Sequence, residues 1–393
     1  MQKRFTPDEG GVFPEWEEVT LGDIAEFSRG KGLTKKDVFK KGKRKCLLYG
    51  QLQVRYGTVI KNVTGMTDVE LKNPVLSKSG DVLISGTISA GLAKASCIKE
   101  DGVIIGGDIN ILRPKEGIDG EFLARAINAN TKKFKRFLEG SVILHLKNEN
   151  IKEVSIRIPK SIEEQRKIAA ALAAYDEMIA LKTAKLETWQ ECKKRMVKEI
   201  FDRTKRFRDD DGREFPEWEE KTLGEVCKYG NTHKTGKNYI NVENMNKDFS
   251  GVTFLKPSLE RKGIVYDIGD VLMSNIRPYL RKAWLADRGG VCDSDVLVFH
   301  LKDDADVDST FLYYTIASSE FVKWAMIGAR GTKMPRCDKQ HLIEKRIFLP
   351  CIEEQQKIGS FLAEIDKEIE IQKEFIKTYA EGKKRMMREL MER

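Results

Sequence analysis

The chain has 393 residues, 70 Lys and Arg against 61 Asp and Glu, a net charge of +9, and 40% hydrophobic side chains, which predicts two or three domains with real cores and excludes long-range disorder. No run nears the roughly 20 apolar residues of a membrane helix, and the opening MQKRFTPDEGG lacks the apolar core of a signal peptide. Seven scattered cysteines without a CxxC pair, beside only four histidines, speak against zinc sites and disulfide frameworks, so reduced thiols in a cytoplasm are expected.

In chain order, FTPDEGGVFPEWEEVTLG (5–22) leads into RGKGLTKKDVFKKGKRK (29–45), which holds nine basic side chains and one acid. Arg29, Lys31, Lys35, Lys36, Lys43, Arg44 and Lys45 suit phosphate neutralisation, and the glycines among them let backbone approach a ligand. Taken alone, such a stretch is equally a solvated surface. Tyr49, Gln51, Gln53 and Arg55 follow, side chains of the kind that read base edges. VLIS (82–85), VIIGGDINILR (103–113) and VSIRIP (154–159) are expected strands, with Ser85 and Thr87 as further readers after the first. A helix is expected over 120–138, where Phe122, Ala126, Ile127 and Phe134 share a face.

Ser161 and Glu164 form a capping box for a long helix. Its apolar positions run Ile168, Leu172, Tyr175, Ile179, Leu186, Trp189, Met196, Ile200, interrupted by Lys182 and Lys193. This 3.5-residue period is a coiled-coil pattern. About 39 residues give roughly 58 Å, or at most about 17 base pairs of duplex. Such a seam needs a partner: a second helix running antiparallel, or the helix's own globular block.

The second half repeats the first. FRDDDGREFPEWEEKTLG (207–224) matches 5–22 at a shift of 202, and IEEQQKIGSFLAEIDKEI (352–369) matches IEEQRKIAAALAAYDEMI (162–179) at a shift of 190. The second seam runs Ile358, Leu362, Ile365, Ile369, Gln372, Ile376, Tyr379, Lys383, Met386, Leu390, with polar residues at the same two places. Between the matched ends the halves diverge, although VLMS (271–274), DVLVFHL (295–301), KRIFLP (345–350) and a helical 309–327 echo the first. His233, Lys234, Lys237, Asn238, Tyr239, Asn241 and Asn244, then Asn275, Arg277 and Arg281, then Arg330, Lys333 and Arg336 are the candidate nucleic-acid contacts here. The expected architecture is α+β: two mixed domains separated by two long helices forming an antiparallel coiled coil, in a tandem pseudo-twofold repeat. The segments are 1–158, 159–206, 207–349 and 350–393.

Catalytic signatures fail. GNTHKTGKN (230–238) misses the phosphate-loop spacing, no NPPY-like methyltransferase tetrapeptide occurs, His145, His233, His300 and His341 have no local triad partners, and DDDG (209–212) lacks the distant Glu of a calcium loop. No active site or metal is expected on this chain. One reading is a coiled-coil scaffold without DNA specificity; a log-log salt titration of duplex binding separates it from a DNA reader.

FPEWEEVTLGDI and FPEWEEKTLGEV, each heading a variable domain that ends in IP or LP before IEEQ-K-I and a heptad helix, resemble the specificity subunit of type I restriction-modification systems. The resemblance implies that each variable block reads one half of a split DNA target and that the helices set the spacing. It implies as partners double-stranded DNA, two methylation subunits carrying S-adenosylmethionine, and, through them, restriction subunits using ATP and Mg; no membrane is involved. Lys193–Arg195 and Lys383–Arg385 are candidate docking surfaces for those subunits, or simply solvated turns. Cys351 stands where the first copy has its capping Ser161, which weakens the second helix cap.

Overall fold

The computed structural model describes residues 5–88, 94–137, 144–254 and 260–391. The chain divides into two compact units, one reaching Leu181 and resuming at Phe375, the other spanning Lys182–Glu374. Both divisions fall inside long helices.

Unit 1 runs through β1 (Glu17–Thr20), β2 (Ala25–Arg29), β3 (Arg44–Leu47), β4 (Val59–Ile60), β5 (Val82–Ser85), β6 (Thr87–Ile88), β7 (Ala95–Ile98), β8 (Ile109–Pro114), α1 (Gly120–Ala129), β9 (Leu144–His145), β10 (Ser155–Ile158) and the first half of α2 (Ile162–Phe201). Its main sheet has the order β2-β8-β5-β7-β4, antiparallel except between β4 and β7, and β1 pairs separately with β10. Apolar runs without alternation, such as Val82–Ser85, are buried on both faces. Against them pack Phe122, Leu123, Ala126 and Ile127 of α1 with Ile168 and Leu172 of α2. Asp119 caps α1 by accepting from the Phe122 N–H at 2.8 Å. The helix expected over 120–138 breaks at Asn130, whose side chain donates to the Ala126 carbonyl at 2.9 Å and closes the last turn.

Unit 2 contains the rest of α2, β11 (Glu219–Thr222), β12 (Cys227–Tyr229), β13 (His233–Gly236), β14 (Arg261–Tyr266), β15 (Val271–Ser274), β16 (Ala283–Leu285), β17 (Val296–Leu301), α3 (Ser309–Ile316), α4 (Ser319–Ile327), β18 (Arg346–Leu349) and most of α5 (Ile352–Met391). Its sheet order β12-β17-β15-β16 repeats β2-β8-β5-β7, and β11 with β18 repeats β1 with β10. The single helix expected over 309–327 is two, because Ser318 caps α4 by accepting from the Phe321 N–H at 3.1 Å.

Both long helices have 40 residues. In unit 1 the start of α2 (Ile168, Leu172) shares a core with the end of α5 (Leu390, Met391). In unit 2 the end of α2 (Met196, Ile200) shares one with the start of α5 (Ile358, Leu362, Ile365, Ile369). Within each unit the two helices therefore run in opposite directions. Two of the polar positions in the seam carry ion pairs: Lys193 reaches Asp366 at 2.5 Å in unit 2, and Lys383 reaches Asp176 in unit 1.

The repeated sequence segments touch one another. Trp16 of FPEWEE donates its indole N–H to Glu164 of IEEQ at 3.2 Å, and Trp218 donates to Glu354 at 3.0 Å. Gln165 donates to the carbonyls of Pro159 and Gly117 and accepts from the Asp119 N–H, while Gln355 does the same with Pro350, Asp306 and Asp308. Lys167 pairs with Asp8 and Lys357 with Asp210, each at 2.6 Å. Glu164, expected at the helix cap, thus also receives the indole through one carboxylate oxygen. The Cys351 substitution leaves the start of α5 in place, with the Gln355 N–H bonding the Cys351 carbonyl at 3.0 Å.

All seven cysteines are free, and Cys46, Cys97, Cys227, Cys292 and Cys337 are buried. Burial pushes the Cys46 thiol up to about 11 and the other four to about 12. Thiolate is the reactive form, so under native conditions a thiol reagent at pH 8 should label only Cys192 and Cys351 quickly. Mass spectrometry of the labelled peptides checks this, and rapid labelling of Cys97 or Cys227 would contradict their burial in the two cores.

Candidate nucleic-acid interface

The basic segment of unit 1 is not one loop. Arg29 ends β2, Lys35 and Lys36 lie in a short 3-10 turn, and Arg44 and Lys45 belong to β3, opposite Thr67 and Met66. Lys31, Lys35, Lys36 and Lys43 are exposed, whereas Arg44 and Lys45 are half-buried. The Thr34 hydroxyl and N–H hold the Asp37 carboxyl below its usual pKa. Lys45 is committed to the fold: its ammonium donates to Asn62 at 2.9 Å and to Glu100, whose other oxygen accepts the Val63 N–H at 2.6 Å. Burial works to raise the Glu100 pKa, but these bonds outweigh it and hold it low. Lys45 therefore braces the domain and is not an open phosphate contact. Gly30 likewise serves the sheet, because a Cβ there would sit 2.0 Å from the Gly106 carbonyl oxygen.

Tyr49 is exposed at the start of a short helix, Tyr49–Val54, and Arg55 is exposed at its end. Gln51, an expected base reader, accepts from the Leu48 N–H at 3.0 Å and so caps that helix with its side-chain oxygen. Gln53 lies in the helix, but its side chain falls outside the described residues. Ser85 is buried and donates to the Thr87 carbonyl at 2.6 Å, and the Thr87 hydroxyl bonds Asp108. Arg29 also reaches Asp108, at 2.6 Å. The structure thus gathers Arg29 and Thr87 around the Asp108 carboxylate, with Ser85 bound to the Thr87 backbone beside them.

In unit 2, His233 and Lys234 are exposed on the edge strand β13, and Lys237 is exposed beyond it. Asn238 adopts φ 52° and donates to the Gly289 carbonyl at 2.9 Å. Tyr239 donates to Asp293 at 2.9 Å with Arg261 over its ring. The Asp295 N–H bond, against the effect of burial, holds the Asp293 carboxyl low. Asn241 and Asn244 brace each other's backbone: Asn244 Oδ1 accepts the Asn241 N–H at 3.0 Å, and Asn241 Oδ1 accepts the Asn244 N–H at 3.1 Å. Their oxygens hold a turn and are not presented as base readers.

Arg277 and Arg281 flank the turn Pro278–Leu280, both in left-handed backbone with φ 51° and 55°, a conformation costly for residues other than glycine. Arg281 donates to Ser319 at 3.3 Å and lies over Phe249. The segment 330–337 returns beside Asn275–Arg277, with Ile276 opposite Arg336 and the Arg277 N–H donating to the Pro335 carbonyl at 2.7 Å. This brings together Asn275, Arg277, Arg330, Lys333 and Arg336, from two segments that the sequence left separate. Arg330 pairs with Asp338 and Arg336 with Asp295, each at 2.8 Å, while Lys333 is exposed. Among the described residues, the Asn275 side-chain oxygen and Arg277 Nε are buried without a hydrogen-bond partner.

Sequence reasoning missed Asp108 and Asp295. The only available signal was their place before the strands INILRP and VLVFHL. Of the expected docking surfaces, Lys193 and Lys383 are taken up in ion pairs, leaving Lys194, Arg195, Lys384 and Arg385 exposed. Among the described residues, no helix is long and apolar enough to cross a membrane, and no group of three His, Cys, Asp or Glu side chains is placed to hold a metal ion.

Residues 14–188 and 216–378 match the family model for the type I restriction modification DNA specificity domain. The chain is 24% identical over 422 residues to the type I restriction enzyme MjaVIII specificity subunit of Methanocaldococcus jannaschii, covering 99% of this chain and 95% of that one. Its fold is similar to that of the type I restriction-modification S subunit from M. genitalium, with a TM-score of 0.66 at 15% identity over 96% of both chains. A chain solved in work on complex assembly and conformational transition of the type I R-M system gives 0.54 at 18% identity over 97% and 98%. With one copy of the domain in each half, this chain belongs to the type I restriction modification DNA specificity family.

Proposed function

We propose that this chain gives a type I restriction-modification complex its DNA sequence. Unit 1 reads one half of a bipartite duplex target and unit 2 reads the other, with α2 and α5 fixing the spacer. One observation carries the reading: both units keep the same sheet and the same Trp–Glu brace, yet differ where β5 and β15 end, with Gly86–Thr87–Ile88 in one and Asn275–Ile276–Arg277 in the other. A retained scaffold with divergent tips implies two unlike half-sites. Exposed lysines such as Lys31, Lys35 and Lys36 contribute phosphate contacts that position without specifying. The chemistry belongs to partners: two methylation subunits supply the S-adenosylmethionine site, and restriction subunits joined through them supply ATP- and Mg-dependent translocation and cleavage. This chain itself is non-catalytic and works in the cytoplasm.

Selection from a pool of randomised duplexes by the purified chain is expected to return two short conserved blocks separated by a spacer of constant length. Affinity should fall steeply with salt. A flat log-log salt slope with no selected sequence would sink the proposal in favour of a scaffold.

A further inference from the structure

The two units hold a carboxylate at the same structural place. Ser85 lies opposite Ile109 between β5 and β8, and Ser274 lies opposite Val296 between β15 and β17. The Ser85 hydroxyl donates to the Thr87 carbonyl at 2.6 Å and the Ser274 hydroxyl to the Ile276 carbonyl at 2.8 Å. The Gly86 N–H bonds the Asp108 carbonyl and the Asn275 N–H bonds the Asp295 carbonyl, both at 2.8 Å. The Leu146 N–H returns to Gly86 and the Cys337 N–H to Asn275, both at 2.9 Å. Asp108 and Asp295 are therefore equivalent, and so are His145 and Arg336.

Each carboxylate holds an arginine, but from a different segment. Asp108 takes Arg29 from the end of β2 at 2.6 Å, and Asp295 takes Arg336 from the returning strand at 2.8 Å. In both pairs the acid is the covered partner, with side chains 23% and 27% exposed, and the arginine is the open one, at 51% and 56%. A pair this open adds little to stability. Stability therefore does not account for the same acid meeting a new arginine after the residues around it changed. Presentation of the guanidinium does. In each pair the carboxylate engages one terminal nitrogen of the guanidinium, NH2 of Arg29 and NH1 of Arg336, and fixes its plane while leaving other N–H groups for an outside acceptor. Partial neutralisation also weakens the competing pull of phosphate, which a free arginine would feel strongly. A planar fork held this way matches the adjacent O6 and N7 acceptors of guanine in the major groove.

We propose that Arg29 and Arg336 each read a guanine, one in each half-site, and that Asp108 and Asp295 are the positioning residues that aim them. This rests on the DNA-reading role proposed above.

The test is duplex selection and salt titration with the full chain, comparing wild type with Arg336→Ala, Asp295→Asn and Asp295→Glu, each checked for folding by its thermal melt. Arg336→Ala is expected to lose a preference of roughly 5- to 150-fold at one guanine of one half-site, leaving the other half-site and the salt slope unchanged. Asp295→Asn should relax the same position and steepen the salt slope, as Arg336 turns to phosphate. Asp295→Glu should restore both. Arg29→Ala and Asp108→Asn should act likewise on the other half-site. Wild-type preferences persisting in Arg336→Ala and Arg29→Ala would overturn the guanine assignment alone. So would a uniform loss across sequences with a salt slope shallower by about one, which marks a phosphate contact. A wild-type chain that selects no sequence would overturn the DNA-reading role and this assignment with it.

Discussion

Trp218→Ala should lower the stability of unit 2 by about 3–5 kcal/mol. The indole is buried, packs edge-on to Phe311 at 6.0 Å between ring centroids, and donates to Glu354 at 3.0 Å. Glu354 is fully buried and also accepts from Arg206 at 2.9 Å and the Phe207 N–H at 3.3 Å. Removing the indole opens a cavity and withdraws a donor from a buried carboxylate, two costs that add. Trp218→Phe keeps much of the volume and loses only the donor, so its loss should be smaller. Trp16→Ala, at a half-buried indole, should also cost less. Guanidinium unfolding of the three variants measures this. A Trp218→Ala loss below about 1 kcal/mol would show that the repeated Trp–Glu contact does not hold the unit together.

The second large effect concerns binding. Lys35, Lys36, Lys40 and Lys41 are exposed and belong to no ion pair among the described residues. Replacing all four with alanine should make the log-log salt slope shallower by about 0.9 for each phosphate no longer neutralised, equivalent near 0.1 M salt to about eightfold in affinity per phosphate. Sequence preference should not change, because phosphate binding carries none. Salt titration on one specific and one unrelated duplex separates the outcomes: a loss confined to the specific duplex would mean that the segment reads bases. Charge reversal at Arg44 and Lys45 is a poorer test. Lys45 supports Glu100 and through it the Val63 backbone, so the change would mix unfolding with weakened binding.

What was legible in the sequence was whatever repeats or has a period. FPEWEE and IEEQ marked the scaffold because Trp16, Glu164, Trp218 and Glu354 had to be kept together. The two 40-residue helices announced themselves through eight apolar positions in ten at a 3.5 spacing. What was not legible were choices made by single side chains across long separations. Nothing near Lys45 in the chain says that its charge is spent on Glu100, and nothing near Asp295 names Arg336 as its partner. Asn241 and Asn244 look like base readers by residue type, and only the turn they share shows where their oxygens go. The breaks at Asn130 and Ser318 follow the same pattern: each is a local side-chain bond overriding an apolar periodicity that continues past it.

The division of unit 1 around unit 2 bears on how the protein is made. Ile168 and Leu172 share their core with Leu390 and Met391, so the domain that leaves the ribosome first has an apolar face uncovered until all of Lys182–Glu374 has been translated. Unit 2, by contrast, is continuous in the chain and can close as soon as its own residues are out. Unit 1 therefore begins first and finishes second. Through that interval its open face is where a chaperone, or another unfinished chain, would bind.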